Sequence, residues 1–445
     1  MKEGLIEKIK SRTASMAVLG LGNVGLATAA IFADVGFSVV GVDVNESVVG
    51  AVAEGRSRTK ELGGLVQKVV REGGLKTSID MLHAVGKADI VVICVQTPLT
   101  KDRRPNLAFL KKACESIADG PLRGKLVILV STVPPGTTRG YIAPLLERDS
   151  GLKCGTDFWL AHCPERIALG KVIREFAENS RIIGGCGDES AVIAMELFKT
   201  VSKGEILVTD CSSSEVAKLA ENTFRNVNIA FANELALICE QIGVDVMEAI
   251  RLANTHPRVN VHNPGCGVGG PCLPKDPYLL LSLVKKKRLK SKVIQPACEL
   301  NDYMPEHTVE LVVDALRKAG KDVRNSSVAV LGVAFKGGVE SAASSPSGAI
   351  VHKLMSLGAT VCVYDPYSEE NFGAGRVEDV NEAIRGADCI VIATDHKIFR
   401  ELKLGKIRAL MNEKPAIVDG RRILNPKDAT RQGYAYLGIG YGIGC

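Results

Sequence analysis

Short apolar runs that stop at a glycine or an acid, each followed by a stretch with helical spacing, recur along this chain. Residues 16–19 are continuously apolar and lead at once into Gly20-Leu21-Gly22-Asn23-Val24-Gly25, after which an apolar helical run continues to Ala33. The next strand, Phe37 to Val42, ends in Asp43. Two more, 88–95 and 126–130, lead into Gln96-Thr97-Pro98 and Ser131-Thr132-Val133-Pro134-Pro135-Gly136-Thr137-Thr138. Near-continuous apolar strands alternating with helices are the pattern of a parallel sheet covered on both faces. In such sheets ligands gather beyond the carboxyl ends of the strands, so these polar strand ends are expected to face a ligand, although helix caps and turns use the same residue types.

Residues 212–242 hold little that would break a helix, and Gly243 ends the run. Ser213 and Ser214 are candidate N-caps beside Glu215, and Lys218 and Asn222 fall one turn apart on one face. The length of the segment predicts a helix linking two domains. The strand pattern then begins again: 328–332, then Ala334-Phe335-Lys336, a helix over 347–357, and a strand over 360–364 that ends in Asp365-Pro366. Both halves carry strand, glycine, helix and acid-ended strand in the same order. The predicted fold is α/β, with two doubly wound, Rossmann-like domains joined by a long central helix.

At 445 residues and 46% hydrophobic content the chain can bury two or three cores, given roughly 150 residues per domain. A net charge of +6, with 56 basic and 50 acidic residues, does not point to nucleic acid and suits an anionic small molecule better. The basic run Lys285-Lys286-Lys287-Arg288, with Lys290 and Lys292, reads as a solvated helix end. Thirteen cysteines with no Cys-x-x-Cys pair argue for reduced thiols in a cytoplasmic protein, and structural zinc is not expected. The mixed-charge start, Met1 to Lys10, is no secretory signal, and no apolar run reaches the length of about 18 residues that a membrane span needs.

The glycine motif has the context that a dinucleotide site requires. Its glycines permit the tight turn, the approach of backbone N–H groups to a pyrophosphate, and close helix packing, while the helix N-terminus adds partial positive charge. Asp43, about 20 positions on, is placed to accept hydrogen bonds from the adenosine ribose and would repel a 2′-phosphate. NAD is therefore favoured over NADP, with FAD the alternative. The second copy of the pattern lacks the spaced glycines, so it is expected to hold another nucleotide, with Lys336, Arg421 and Arg422 as phosphate contacts. The remaining chemistry lies in Gly265-Cys266-Gly267-Val268-Gly269-Gly270-Pro271-Cys272-Leu273-Pro274-Lys275-Asp276, where a thiol follows a glycine cluster and stands four residues before a carboxylate. Such a loop can present Cys272 to a substrate as a covalent nucleophile; the alternative is an inert cysteine on a Gly/Pro loop.

Taken together, Gly20-Leu21-Gly22, Ser131 to Gly136, Pro164-Glu165-Arg166, Glu215 to Glu234, Gly267 to Asp276 and Ala334-Phe335-Lys336, all in this order, resemble the nucleotide-sugar 6-dehydrogenases of the UDP-glucose and UDP-N-acetylhexosamine type. The resemblance covers nearly the whole chain. It implies an NAD-binding domain over 1–205, a central helical dimerisation domain with the cysteine loop over 206–305, and a UDP-sugar-binding domain over 306–445. It also implies a homodimer or higher homo-oligomer that oxidises C6 of a UDP sugar twice, from alcohol to carboxylate, with two NAD per turnover.

By this resemblance Gly20, Gly22, Asn23, Val24, Gly25, Asp43, Thr97 and Thr132 serve NAD. Cys272 attacks the aldehyde formed first, giving a thiohemiacetal and then a thioester that water hydrolyses. A free thiol is only a few per cent ionised at neutral pH, so it needs a cation, for which Lys218 is the candidate; with Asn222 it would also stabilise oxyanions. Asp276 and Glu165 share the roles of proton acceptor and water activator, in either order, and Thr132 positions the same water or the cofactor. Substrate contacts are implied for Glu165, Arg166, Lys218, Asn222, Gly269, Lys336 and Arg421, and for Arg258 reaching a neighbouring subunit's substrate. One departure stands out: Ala343 occupies the place of an arginine usual in the family, which puts a contact to the cofactor in doubt. Pro164-Glu165-Arg166 with Gly170-Lys171, and His256-Pro257-Arg258-Val259-Asn260, look more like the N-acetylhexosamine branch, with UDP-N-acetylmannosamine favoured over its C2 epimer and over UDP-glucose. The competing class is a nucleotide-sugar binder without catalysis, or a single-step dehydrogenase.

Overall fold

The computed structural model describes residues 1–168, 170–286 and 289–442. Two compact units divide the chain: Met1–Glu221 with Tyr278–Leu289, and Asn222–Pro277 with Lys290–Cys445. Each unit is built on one twisted sheet.

In the first unit eight strands run β1 (Ser15–Leu19), β2 (Ser38–Val42), β3 (Leu75–Ser78), β4 (Ile90–Ile93), β5 (Leu126–Leu129), β6 (Trp159–His162), β7 (Arg181–Gly185) and β8 (Ile206–Asp210), in the order β3-β2-β1-β4-β5-β6-β7-β8. All pairs are parallel except β6 with β7, where Ala161 faces Gly185. The order reverses between β1 and β4, so the crevice beyond Leu19 and Ile93 is the switch point where such sheets bind ligands. The strands read as unbroken apolar runs because both faces are covered: Met16 and Val18 pack into one core with Phe32 and Trp159, while Ala17 and Leu19 pack into another with Ile93 and Leu129.

In the second unit β9 (Ser327–Leu331), β10 (Thr360–Tyr364), β11 (Gly375–Arg376), β12 (Cys389–Ile392), β13 (Ala416–Asp419) and β14 (Ala435–Gly438) lie in the order β11-β10-β9-β12-β13-β14, all parallel. This is the winding of the first six strands again. Val328 and Val330 serve one core face, and Ala329 and Leu331 the other. The expected doubly wound repeat is thus present. Gly20 and Gly332 both turn the chain at positive φ, 93° and 96°. Asp43 accepts from the Leu21 amide at 2.8 Å, and Asp365 accepts from the Val333 and Ala334 amides at 2.8 and 2.9 Å. In each half the acid that ends the second strand ties down the turn after the first.

The long helix spans Cys211–Ile242, one residue longer at its start than its apolar pattern implied. Its N-terminal cap differs from expectation. The Asp210 carboxylate accepts from the amides of Ser212 and Ser213 and from the Ser213 hydroxyl at 2.6–3.0 Å, so Asp210, not Ser213 or Ser214, satisfies the first turn. A carboxylate there also meets the positive end of the helix. The predicted strands over 88–95 and 126–130 are shorter than read, Ile90–Ile93 and Leu126–Leu129, because Ala88 caps the preceding helix and the last residues of both already belong to the following loops. Of the basic run, Lys285 and Lys286 end the helix Asp276–Lys286, whereas Lys287 and Arg288 lie outside the described residues. Among the described residues no helix is long and apolar enough to cross a membrane.

Candidate active site

A cavity of about 540 Å³ opens at the switch point of the first sheet, lined among others by Gly20, Gly22, Asn23, Asp43, Gln96 and Arg58. A Cβ on Gly20 would stand 2.8 Å from the Cys94 carbonyl oxygen and one on Gly25 1.8 Å from that of Gly20, whereas one on Gly22 meets nothing within 4 Å. Gly20 and Gly25 therefore make the turn and the close helix packing, and Gly22 leaves its amide open to the cavity. Neither Val24 nor Gly25 lines the cavity; Val24 packs against the apolar core. Asp43 accepts from Leu21 and Asn45 and also borders the cavity, so its carboxylate holds the turn at the cavity wall. The cradle fits a dinucleotide. The 56–59 stretch, which the motif reading passed over, brings Arg56 and Arg58 to the same cavity, with the Thr59 hydroxyl on Asn23 at 3.1 Å.

At the neighbouring strand ends the Thr97 hydroxyl donates to the Thr132 carbonyl at 2.6 Å, joining the loops after β4 and β5. Glu165 is buried, and both oxygens are engaged: one by the Arg166 amide at 2.7 Å, the other by the Arg181 guanidinium at 3.2 Å. Arg181 is itself buried, with its guanidinium between the rings of Phe176 and Phe198 at 4.4 and 4.7 Å from their centroids. Stacking and a single carboxylate orient it, and it in turn holds Glu165 in one rotamer. The Arg166 guanidinium is committed to the Ser180 carbonyl at 2.8 Å and to Glu221 at 2.8 Å.

Two side chains at the start of the long helix tie it to these strand ends. Ser214 meets the ring of His162, at the end of β6, at 2.8 Å. Glu215 accepts from the amides of Gly136 and Thr138 and from the Thr138 hydroxyl at 2.5–2.7 Å, and burial raises its pKa above the usual carboxylate value. Lys218 follows one turn later, and among the described residues no carboxylate pairs with it. Burial, with the nearby Lys218 charge, drives the His162 pKa down to about 3, so this imidazole is neutral.

In the second unit Cys272 is exposed. Its carbonyl accepts from the amides of Lys275 and Asp276 at 3.0 and 2.9 Å, a turn that starts the helix Asp276–Lys286. Asp276 is buried and its Oδ2 accepts from the Asn222 amide group at 2.6 Å; Oδ1, which accepts no hydrogen bond, faces the Lys275 ammonium at 3.5 Å. Such an atom is costly to leave unmade and is available to a substrate or water. Asn226 donates to the Leu273 carbonyl at 3.2 Å, and Asn233 accepts from the Gly265 amide at 2.9 Å. One face of the long helix thus carries the whole cysteine loop. Of these asparagines the sequence reading singled out only Asn222. The signal for the others was asparagine at 226 and 233 inside a helix, where it is a poor former.

The glycine cluster approaches its own chain rather than standing open. A Cβ on Gly269 would lie 2.8 Å from Phe335 Cβ, and one on Gly270, at φ 94°, 2.9 Å from the Phe335 ring. The Gly270 amide donates to the Ala343 carbonyl at 2.8 Å, so the stretch with the unusual alanine supports the cysteine loop through its backbone. Lys336 is exposed. The two adjacent arginines separate: Arg421 is partly exposed, against Gly265 and 3.6 Å from Asp395, whereas Arg422 is buried, with two 2.9 Å bonds to Asp245 and the Tyr441 ring over its guanidinium. Arg422 is a structural ion pair and not the phosphate contact expected of it. Arg258 is exposed on the loop after the helix Val246–Ala253. Among the described residues no group of three or more His, Cys, Asp or Glu side chains could hold a metal ion.

Comparison with known proteins places this geometry. Residues 14–202 match the NAD binding domain of the UDP-glucose/GDP-mannose dehydrogenase family, residues 212–303 its central domain and residues 329–426 its UDP binding domain. The chain is 42% identical over 429 residues to a UDP-N-acetyl-D-mannosamine dehydrogenase of Pyrococcus horikoshii, covering 96% of this chain and 99% of that one. A solved structure of UDP-D-ManNAc dehydrogenase from Pyrococcus horikoshii superposes with a TM-score of 0.90 at 41% identity, over 96% of this chain and 99% of that one. An NDP-N-acetyl-D-galactosaminuronic acid dehydrogenase from Methanosarcina mazei superposes with a TM-score of 0.85 at 34% identity, over 98% and 97%. The chain carries that family's three domains in order, with an intact dinucleotide cradle and an exposed thiol beside a buried Asn-Asp pair, and it belongs to the UDP-glucose/GDP-mannose dehydrogenase family as an NAD-dependent nucleotide-sugar dehydrogenase.

Proposed function

We propose that this enzyme oxidises C6 of UDP-N-acetyl-D-mannosamine twice, to UDP-N-acetyl-D-mannosaminuronate. The observation that carries the reading is the Cys272 loop: an exposed thiol, a buried Asp276 whose Oδ1 faces the Lys275 ammonium without a hydrogen bond, and Asn222 donating to its Oδ2. NAD, bound at the glycine turn, supplies the hydride acceptor in each oxidation. The chain's residues do the rest. Asp276 with a bound water takes the alcohol proton. The Cys272 thiolate adds to the aldehyde, and Asn222 and Lys218 donate to the oxyanion. After the second oxidation Glu165, held by Arg181, activates the water that cleaves the thioester; the roles of Asp276 and Glu165 are interchangeable. Thr132 and Thr97 orient the cofactor side, while Arg166, Gly269, Lys336 and Arg421 bind substrate.

The division into 1–205 for NAD, 206–305 for the cysteine loop and dimerisation, and 306–445 for UDP belongs to the same reading. The active form is a homodimer or a higher homo-oligomer. Phe224, Phe231 and Ile238 recur at seven-residue spacing on the long helix at 63%, 49% and 51% exposure, an apolar seam that a second copy would cover. Arg258 would then reach the neighbour's substrate. A reduced Cys272, with NAD and a nucleotide sugar as reactants, argues for the cytoplasm.

The test incubates purified enzyme with NAD and each of UDP-N-acetylmannosamine, UDP-N-acetylglucosamine and UDP-glucose, and counts NADH per sugar. Two NADH, fastest with the mannosamine derivative, and a Cys272→Ala variant that stops before the acid are the expected results. One NADH per sugar from the unmodified enzyme sinks the thioester route. Faster turnover of a C2 epimer or of UDP-glucose overturns the substrate assignment but not the mechanism.

A further inference from the structure

Three cysteines that the proposed mechanism does not use meet in the first unit. Cys186 follows β7, its amide bonded to the Leu160 carbonyl of β6 at 2.9 Å. Cys211 is the first residue of the long helix, and Cys154 stands in the turn before β6 with its amide on Glu147 at 3.1 Å. The Cys186 and Cys211 sulfurs are 2.9 Å apart, and a side-chain hydrogen bond links Cys154 to Cys186. The row runs inward: Cys154 and Cys186 are partly exposed and Cys211 is buried. The hydrogen bond from Cys186 holds the Cys154 pKa below the ordinary thiol value against the opposing effect of burial, while the bonds to Cys154 and Cys211 push the Cys186 thiol up, so the outer thiol is the first nucleophile and Cys186 follows it.

We propose that Cys154, Cys186 and Cys211 form a thiol–disulfide site that takes oxidising equivalents from a low-molecular-weight disulfide and stores them as a Cys186–Cys211 bond. The Cys154 thiolate attacks one sulfur of the small disulfide and expels one thiolate, leaving a mixed disulfide. Cys186 attacks the Cys154 sulfur and expels the second small thiolate. Cys211 then attacks Cys186, which frees Cys154. In sum two protein thiols are oxidised, one small disulfide is reduced to two thiols, and each attacking thiol gives its proton to solvent or to the leaving thiolate. The bond joins the end of β7 to the first turn of the helix that carries Ser214, Glu215 and Lys218, closing a loop across 25 positions. Oxidation should therefore raise the melting temperature by several degrees.

The test treats the full folded chain with oxidised glutathione, alkylates the remaining thiols and digests with trypsin without reduction. Cleavage after Lys153, Arg166, Arg181, Lys199, Lys203 and Lys218 puts the three thiols on separate peptides, 154–166, 182–199 and 204–218. Peptide 182–199 joined to 204–218, with no glutathione on either, is the expected product. Cys186→Ser should keep glutathione on Cys154, distinguished from Cys163 by fragmentation, and Cys211→Ser should move the cross-link to 154–166 with 182–199. Alkylation of all three thiols in the treated wild type overturns the site. If Cys186→Ser loses its cooperative melt, Cys211→Ser decides: no cross-link between Cys154 and Cys186 there overturns the relay.

Discussion

At the scale of single residues, the buried pair of Arg181 and Glu165 shows how a candidate catalytic acid is held by a group far from it in sequence. Removing one member of a buried ion pair leaves the other charge uncompensated, which costs about 3–5 kcal/mol. Arg181→Ala should lower stability by that amount in chemical denaturation and slow acid formation more than the first oxidation, measured by single-turnover NADH release. On the thiol side Asn222 satisfies one oxygen of Asp276 and is a candidate oxyanion donor. Asn222→Ala should reduce kcat by about 10²–10³-fold, the usual loss for one such donor, with little change in the Kd for NAD. An unchanged kcat would restrict Asn222 to holding the loop. Cys272, Asp276, Lys218 and Asn222 could be singled out as candidates in the sequence because they lie in one motif or one helical turn. Arg181, His162 and Asn226 were not, because what selects them is a partner that only folding brings near: Glu165, Ser214 and the Leu273 carbonyl.

At the scale of elements, the first strand, turn and helix depend on close packing at Gly25. A methyl there would meet the Gly20 carbonyl at 1.8 Å, so Gly25→Ala must push the helix off the strand. Its Kd for NAD, followed by fluorescence titration, should rise at least about tenfold, because the helix N-terminus and the Gly22 amide move together. A second element contact is pH-dependent. His307, on the helix Ile294–Lys318, meets Glu240 of the long helix at 2.9 Å and Glu310 at 3.3 Å, while Glu240 accepts from the Gly440 amide at 2.7 Å and Tyr303 donates to Glu310. Burial lowers the His307 pKa, but the two carboxylates outweigh it and the pKa is raised. A raised folded-state value means that the added stability is fully present below the unfolded value of about 6.5 and is lost as pH rises through the higher folded one. Thermal melts across that range should show the wild type losing its advantage over His307→Gln as pH increases; a constant difference would remove the proton from the account. The strand and helix pattern made both sheets readable, whereas the helix cap at Asp210 was not, since serine and aspartate signal an N-cap equally well in sequence.

For the whole molecule, the exposed seam of Phe224, Phe231 and Ile238 predicts assembly. Light scattering after size exclusion should give at least twice the chain mass, and Phe231→Glu should shift it toward the single chain with a loss of turnover if Arg258 serves the neighbour's site. A single-chain mass for the wild type with full activity would refute both. The sequence alone determined the doubly wound α/β class, the dinucleotide cradle and the cysteine loop, because each depends on local order: apolar period, glycine spacing, and acid or thiol at a set distance. Only the tertiary structure decided which neighbours hold these groups. Gly269 and Gly270 pack closely on Phe335, Arg422 went to Asp245 rather than to a phosphate site, and Cys186 and Cys211, distant in sequence, came into contact. Those outcomes are set by packing between segments distant in sequence, where a volume or a charge is matched only once the sheets have formed.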